Sequence, residues 1–178
     1  MHFTSILRIS SLCAALLAGA IQVHAEELRI PIPGGALVLQ VPQGWRSTKE
    51  SAAVPTVSLS PASGNAFHVT VSALVAADGR MAQSSPEAMR GLVEASANEV
   101  KPQAVESSLP LQGFGSGDVQ GQYFSATDRA PKPGEFKFMT QGALSVKGLP
   151  VAFTVLSNGD PKAAVEPTLR MLASARRQ

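Results

Sequence analysis

The sequence predicts a protein of the α+β class, with a central antiparallel sheet and two helices. Three consecutive segments between Asp118 and Ser157 alternate apolar and polar side chains, with only short turn-forming stretches between them. Two other segments repeat apolar residues at helical spacing, each behind residues that favour a helix start. Because side chains alternate across a strand, the first pattern indicates consecutive antiparallel strands with one buried face.

The middle strand of these three, Glu135 to Lys147, has the clearest pattern. Val119 to Ala126 precedes it across the loop Asp128 to Gly134, and Leu149 to Leu156 follows the tight turn Lys147-Gly148. The predicted buried face of the middle strand consists of Phe136, Phe138, Thr140, Leu144 and Val146, and the wetter face of Lys137, Gln141, Ser145 and Lys147. Leu149 to Leu156 is apolar on both faces, which indicates a strand that is covered on both sides.

Residues 1–25 are predicted to be a secretory signal peptide. Arg8 precedes the apolar run Ile9 to Ile21, and Val23-His24-Ala25 is a small-x-small cleavage site. The run is too short for a membrane span of roughly 20 apolar residues. We expect cleavage after Ala25, so that residues 26–178 form a single domain that is soluble in the periplasm or secreted. An uncleaved amphipathic N-terminus is the alternative.

The only cysteine, Cys13, lies within the predicted signal peptide. It could carry the lipid of a bacterial lipoprotein, but Ala14 to Ala20 continue the apolar run beyond it and Leu12 occupies a position that a small residue should fill. We therefore favour soluble export. The mature chain then has no thiol for a disulfide, a nucleophile or a metal site.

The charge of the mature chain gives no sign of nucleic-acid binding. Removing Arg8 with the signal peptide leaves 14 basic and 13 acidic residues and a net charge near +1. The one basic cluster, Arg170, Arg176 and Arg177, is interpreted as charge at the C-terminus of a helix followed by a solvated tail.

The N-terminal half of the mature chain is predicted to be mostly strands. Glu27 to Ile32 and Ala36 to Val41 alternate around Pro33-Gly34-Gly35 and indicate a β-hairpin. It ends at Pro42-Gln43-Gly44-Trp45. Lys49 to Pro55 is predicted to be a polar loop, and Thr56 to Ser60 and Ala66 to Val75 to be two more strands.

Ser84-Ser85-Pro86-Glu87 predicts the start of the first helix, because it offers a capping serine, proline in the first turn, and Glu87 three residues after Ser84 as in a capping box. The helix should run to about Val100. The helical spacing of its apolar residues predicts a packing face of Met89, Leu92, Val93, Ala97 and Val100.

The rest of the chain gives weaker signals. Gln103 to Leu111 is interpreted as a short irregular strand, and Gly113 to Gly117 as a flexible turn, since no Lys-Ser/Thr follows it as in a phosphate loop. Asp160-Pro161 indicates a last helix with the apolar residues Val165, Leu169 and Leu172. Pro167 should kink this helix or delay its start to about Glu166.

The order of these features resembles that of the PsbP-like superfamily, which includes the DcrB-like and LpqN-like bacterial proteins. The features are the hairpin ending in Pro42-Gln43-Gly44-Trp45, the helix opening with Ser85-Pro86-Glu87, three long central strands, and a closing helix that ends near Ser174 and Arg176-Arg177. The resemblance implies an α/β/α sandwich around an antiparallel sheet. It also implies a noncatalytic role in many members, as assembly factors, adaptors or envelope proteins.

The mature chain has few residues that could perform chemistry. Its one histidine, His68, would have to serve any Ser-His-Asp site, for example with Asp118 or Asp128, and no spacing supports this. The acidic residues are scattered rather than clustered as in a metal site. We therefore expect no enzyme activity, no cofactor and no metal.

Three functions remain as hypotheses. The first is an exported protein that binds an envelope protein through a surface around Trp45, Tyr123 and Met139, since Met139 is apolar on a polar face. Trp45 could instead anchor its loop on the core. The second is a carrier of a small apolar ligand or lipid, held between sheet and helix. The third is a hydrolase that uses His68. An enclosed apolar cavity would favour the carrier, and a flat patch a protein partner.

Overall fold

The computed structural model describes residues 26–50 and 53–178, which form an α+β fold of two antiparallel sheets and two α-helices. The predicted signal peptide, including Cys13, lies outside the described residues. No helix in the described part of the chain is long and apolar enough to cross a membrane. The strands are β1 (Glu26–Ile32), β2 (Gly35–Val41), β3 (Trp45–Glu50), β4 (Thr56–Pro61), β5 (Phe67–Ala73), β6 (Gln112–Ser116), β7 (Val119–Thr127), β8 (Phe138–Val146), β9 (Leu149–Ser157) and β10 (Arg176–Arg177), and the helices are α1 (Pro86–Val100) and α2 (Pro161–Ala173).

The larger sheet has seven strands in the order β3-β4-β5-β9-β8-β7-β6, with every neighbouring pair antiparallel. The three predicted central strands are confirmed as β7, β8 and β9, and they lie side by side. Between β8 and β9, Lys147 and Gly148 have φ angles of 47° and 75°. Two consecutive residues with positive φ are typical of the two-residue turns that match the twist of a hairpin.

The smaller sheet, of order β1-β2-β10, was not predicted as a separate sheet. The β1–β2 hairpin itself is confirmed. The interpretation of Arg176 and Arg177 as a solvated tail is wrong, because both residues pair with β2. The next residue extends this pairing, since the Gln178 N–H donates to the Ala36 carbonyl at 3.0 Å. Backbone pairing with β2 therefore fixes the C-terminus.

The larger sheet is covered on both faces. On one face, α1 packs on β7 and β8 around Phe124, Ala126 and Ala143. The opposite face carries the larger core, which joins the sheet to α2 and to the β1–β2 hairpin. This second core buries one face of β9, whereas Ala152, Thr154 and Leu156 on its other face are only half-buried, so the prediction that β9 is covered on both sides holds for one side only. It also places α2 and a three-stranded sheet together in one layer.

Helix α1 begins one residue later than the sequence pattern predicts. Ser85 is its N-cap, and the Ser85 hydroxyl accepts a hydrogen bond from the Ala88 N–H at 3.2 Å. Glu87 is then the second helical residue, so the predicted capping box from Ser84 is not formed. Leu92, predicted on the packing face, is 41% exposed, and Met89, Val93 and Ala97 are the buried residues of the helix.

Two predictions fail at the edges of the larger sheet. β3 (Trp45–Glu50) was not predicted, and it extends two residues into the expected polar loop of Lys49 to Pro55. The glycine-rich stretch predicted to be a turn is the edge strand β6. Gln103 to Leu111 is not a strand, because a 3-10 turn over Lys101–Gln103 leads into irregular chain. Edge strands bury few side chains, so they leave little of the alternation by which a strand is recognised.

Helix α2 begins at Pro161, and the prediction that Pro167 would delay it to about Glu166 is wrong. The Asp160 carboxylate caps the helix by accepting from the Lys162 N–H at 3.0 Å. Pro167 lies inside the helix. The next residue, Thr168, is fully buried and its hydroxyl donates to the Ala164 carbonyl at 2.8 Å. Burial of this helix face outweighs the cost of an internal proline.

Candidate functional site

A groove of about 360 Å³ lies between α2 and the ends of β7 and β8, and we call it the α2 groove. Its apolar walls are Tyr123 and Phe138 on the sheet and Val165 and Leu169 on the helix. The N-terminal turn of α2 closes one end with Pro161. The groove exists because Pro161 starts the helix directly above the β7–β8 pair, while the β-strand alternation directs Tyr123 towards α2.

The floor of the α2 groove is polar, and its two hydroxyl groups are hydrogen-bonded to each other. Ser125 and Thr140 are direct cross-strand partners on β7 and β8, and their hydroxyl oxygens are 2.7 Å apart. Thr140 is only 2% exposed. A hydroxyl pair of this kind stabilises the strand pair and can accept or donate one further bond to a molecule in the groove.

Glu106 lies at the rim of the α2 groove and is held by Thr127. Its two carboxylate oxygens accept from the Thr127 hydroxyl at 2.7 Å and from the Thr127 N–H at 2.9 Å. Partial burial acts to raise the pKa of Glu106, but the two hydrogen bonds from Thr127 outweigh it and leave the pKa below its ordinary value. The rim therefore carries a fixed negative charge at neutral pH.

Tyr123 borders the α2 groove in a fixed orientation. Its phenolic hydroxyl donates to the side-chain carbonyl of Gln112 at 3.0 Å. Its ring meets that of Phe114 edge to face, with the ring centroids 5.9 Å apart. Tyr123 is only partly buried, so part of a rigid aromatic surface remains available to a bound molecule.

Met139 also borders the α2 groove, but its packing is with α1 on the opposite face of the sheet. The sequence interpretation of Met139 as an apolar residue that the core does not explain is therefore corrected: α1 covers this face. Beside it is a second groove of about 380 Å³, lined by Val100, Phe136 and Leu156, which we call the Met139 groove.

Trp45 lies apart from the other two candidate residues. It opens β3, and its ring centroid is 4.6 Å from that of Phe67. β3 is five strands from β7, a distance of about 24 Å at the usual strand spacing. The structure thus brings Tyr123 and Met139 to one groove and leaves Trp45 packed against the core at the far edge of the sheet.

His68 has a neighbour that the sequence did not indicate. Its Nε2 is 3.2 Å from the hydroxyl oxygen of Ser58, which is 8% exposed. The two residues lie on the paired strands β4 and β5, so the register of this hairpin was the signal that could have revealed the contact.

The acids proposed to complete a triad are not near His68. Asp128 accepts from the Ala130 N–H at 2.8 Å, and Asp118 lies 3.9 Å from the Lys147 ammonium. Both flank β7, which is three strands from β5 or about 14 Å. Within residues 26–50 and 53–178, no acidic side chain bonds to His68, and no three His, Asp or Glu side chains converge as a metal site would require.

No protein-family model matches this chain, and no curated protein matches it. The chain is similar to the solution structure of cyanobacterial PsbP (CyanoP) from Synechocystis sp. PCC 6803, with a TM-score of 0.48 and 10% sequence identity. The match covers 90% of this chain and 96% of that chain.

Proposed function

We propose that this chain is a noncatalytic exported protein that binds another protein of the cell envelope, as an adaptor or assembly factor of the PsbP-like kind. The observation that supports the proposal is the α2 groove, with apolar walls, a hydroxyl floor and a charged rim. A partner side chain placed there would bury apolar surface against Tyr123, Val165 and Leu169. Fixed polar groups around an apolar patch give such a contact its specificity.

The openness of the groove favours a protein partner over a small molecule. Small-ligand sites usually bury about 70–90% of the ligand surface. The α2 groove and the Met139 groove are both clefts that open to solvent rather than enclosed cavities. A small apolar ligand in either one would keep part of its surface in water, whereas a protein partner brings its own surface to cover the opening.

The test is crosslinking of the tagged mature protein in its native envelope, followed by mass spectrometry of the protein and small-molecule fractions. Val165→Glu places a charge in the wall of the α2 groove. Leu92→Glu, on the exposed side of α1, is the matched control. We expect one dominant protein partner that is lost with Val165→Glu and kept with Leu92→Glu, while both variants unfold at similar temperatures.

A carrier of a small apolar ligand is the second candidate. Grooves of about 360 and 380 Å³ fall within the size range of ligand sites, about 300–1,000 Å³. Recovery of a stoichiometric small molecule without any protein partner would favour this function over the first. The contact between Ser58 and His68 favours a hydrolase as a weaker third candidate.

A further inference from the structure

The outer edge of β6 differs from the other sheet edges in the described part of the chain. The remaining edges carry charge or proline, which natural sheets use to prevent pairing with other chains: Glu27, Arg29 and Pro31 on β1, Arg46 and Lys49 on β3, and Arg176 and Arg177 on β10. β6 has the sequence Gln-Gly-Phe-Gly-Ser, with neither charge nor proline.

The backbone of β6 is accessible on its outer side. Gln112, Gly113, Gly115 and Ser116 are exposed, and within the described residues β6 pairs only with β7. In an antiparallel pair, alternate residues direct their N–H and C=O groups away from the neighbour. These outward groups can pair with an added strand, which is the recognition mode called β-augmentation.

Two grooves lie between α1 and β6, next to this free edge. One, of about 450 Å³, has the polar lining Arg90, Glu94 and Asn98. The other, of about 360 Å³, has Pro86, Met89 and Phe114 as its apolar lining, with the polar Gln120 and Gln122 beside them. Gly113 borders both. Side chains on one face of a strand are about 7 Å apart, so an added strand can direct alternate residues towards the two grooves.

We infer that β6 receives an extended segment of a partner protein as an eighth strand. The segment has a polar side chain for the Arg90–Glu94 groove and an apolar one, two residues away, for the Pro86–Met89 groove. A second copy of this chain fits less well, because Gly113 and Gly115 face the α1 side of β6 and a paired copy of β6 would present glycines to both grooves. This inference rests on the proposal that the chain binds a protein.

Gly113 allows a test that leaves the fold intact. A Cβ at this position would have no heavy atom closer than 4.0 Å, so Gly113→Lys adds a charged side chain to the edge strand without a clash. Gly159, in the loop before α2, is equally open, and Gly159→Lys is the matched control. Near-equal unfolding temperatures of the two variants and the wild type would show that neither substitution disturbs the core.

The experiment selects binders of the mature protein from a display library of random peptides of roughly ten residues. The probes are the selected peptides, synthesised unmodified and with alternate backbone nitrogens methylated. We expect the unmodified peptides to slow amide hydrogen exchange at residues 112–116. Methylation on the pairing side should weaken binding roughly tenfold or more, because each lost hydrogen bond contributes about 1 kcal/mol. Gly113→Lys should weaken binding similarly, and Gly159→Lys should not.

Three results would overturn the inference. The selection enriches no peptide, or the enriched peptides protect a region other than β6 from exchange, or binding is equally strong whichever set of alternate nitrogens is methylated. A dimer of the wild type that Gly113→Lys abolishes would also overturn it, since the edge would then serve a second copy. If the native partner is still crosslinked through the α2 groove in any of these cases, the inference fails while the proposed function stands.

Discussion

The ring of Phe153 on β9 lies over Gly142, its cross-strand partner on β8. A Cβ on Gly142 would stand 2.6 Å from Cε1 of Phe153 and would also meet the carbonyl oxygen of Gln122. Phe153 is 2% exposed and its ring meets that of Phe114 edge to face. The missing side chain at position 142 therefore makes the space in which the ring of Phe153 is packed.

Replacing Gly142 with alanine should destabilise the protein by about 1–3 kcal/mol, as overpacking of a dense core does. The measurement is the midpoint of denaturant unfolding, with an unchanged dependence of the free energy on denaturant concentration. Gly113→Ala is the control, because its new Cβ has no close neighbour, and it should leave stability unchanged within about 0.5 kcal/mol. Equal stability of the two variants would contradict the packing described for Phe153.

The internal proline of α2 leads to a prediction of opposite sign. Pro167 has no N–H for the Ala163 carbonyl, and an internal proline costs roughly 3 kcal/mol in a helix. The proline also lowers the conformational entropy of the unfolded chain, and this offsets about 0.4–1 kcal/mol of that cost. We expect Pro167→Ala to raise the free energy of unfolding by about 2–2.5 kcal/mol, the difference between these two contributions.

Thermal unfolding followed by circular dichroism measures this change. The control is Pro161→Ala at the first residue of α2, where no intrahelical donor is needed, and there we expect little change. If Pro167→Ala were destabilising, the contacts of Pro167 would contribute more to the packing of α2 than the lost helical hydrogen bond costs.

The parts of the fold that the sequence predicted correctly are those where burial alternates along the chain. β1, β2, β7, β8 and β9 all carry apolar residues on a face that meets the larger core, and the helical spacing of α1 matches its contact with Phe124 and Ala143. β3 and β6 were missed because they lie at the two ends of the sheet. The smaller sheet was missed because β10 is recognised by its pairing with β2, which no local pattern of two arginines can indicate.

The candidate site was predicted only in part, because grooves depend on contacts between distant segments. Tyr123 was identified from its type and position, but the approach of α2 to β7 that makes it a groove residue depends on where α2 begins. The alternation of β8 alone placed Met139 on the polar face of the strand. In the structure α1 covers that face, and Met139 packs against it. The pair Ser58 and His68 required the register of β4 against β5.

The pair Ser58 and His68 allows a direct test of the hydrolase hypothesis. We expect His68→Ala to keep the fold and to leave partner crosslinking unchanged, because His68 lies on β5 and borders neither groove. Turnover of a panel of activated esters should not differ between the wild type and His68→Ala. A turnover that disappears in both His68→Ala and Ser58→Ala, with unfolding temperatures unchanged, would establish catalysis and refute the noncatalytic proposal.

The stability of the protein should depend on the ionisation of Glu106. Thr127 holds the pKa of this carboxyl below its ordinary value of 4.5, so the ionised form stabilises the folded state fully above pH 4.5. This contribution is lost as the pH falls through the pKa of the folded protein.

Glu106→Gln keeps the shape of the side chain and removes its charge. We expect it to lower the free energy of unfolding by about 1 kcal/mol at pH 7, with the difference shrinking below pH 4.5. Urea unfolding of both proteins from pH 7 to pH 3 measures this, and a constant difference would show that the Thr127 hydrogen bonds do not favour the charged carboxylate.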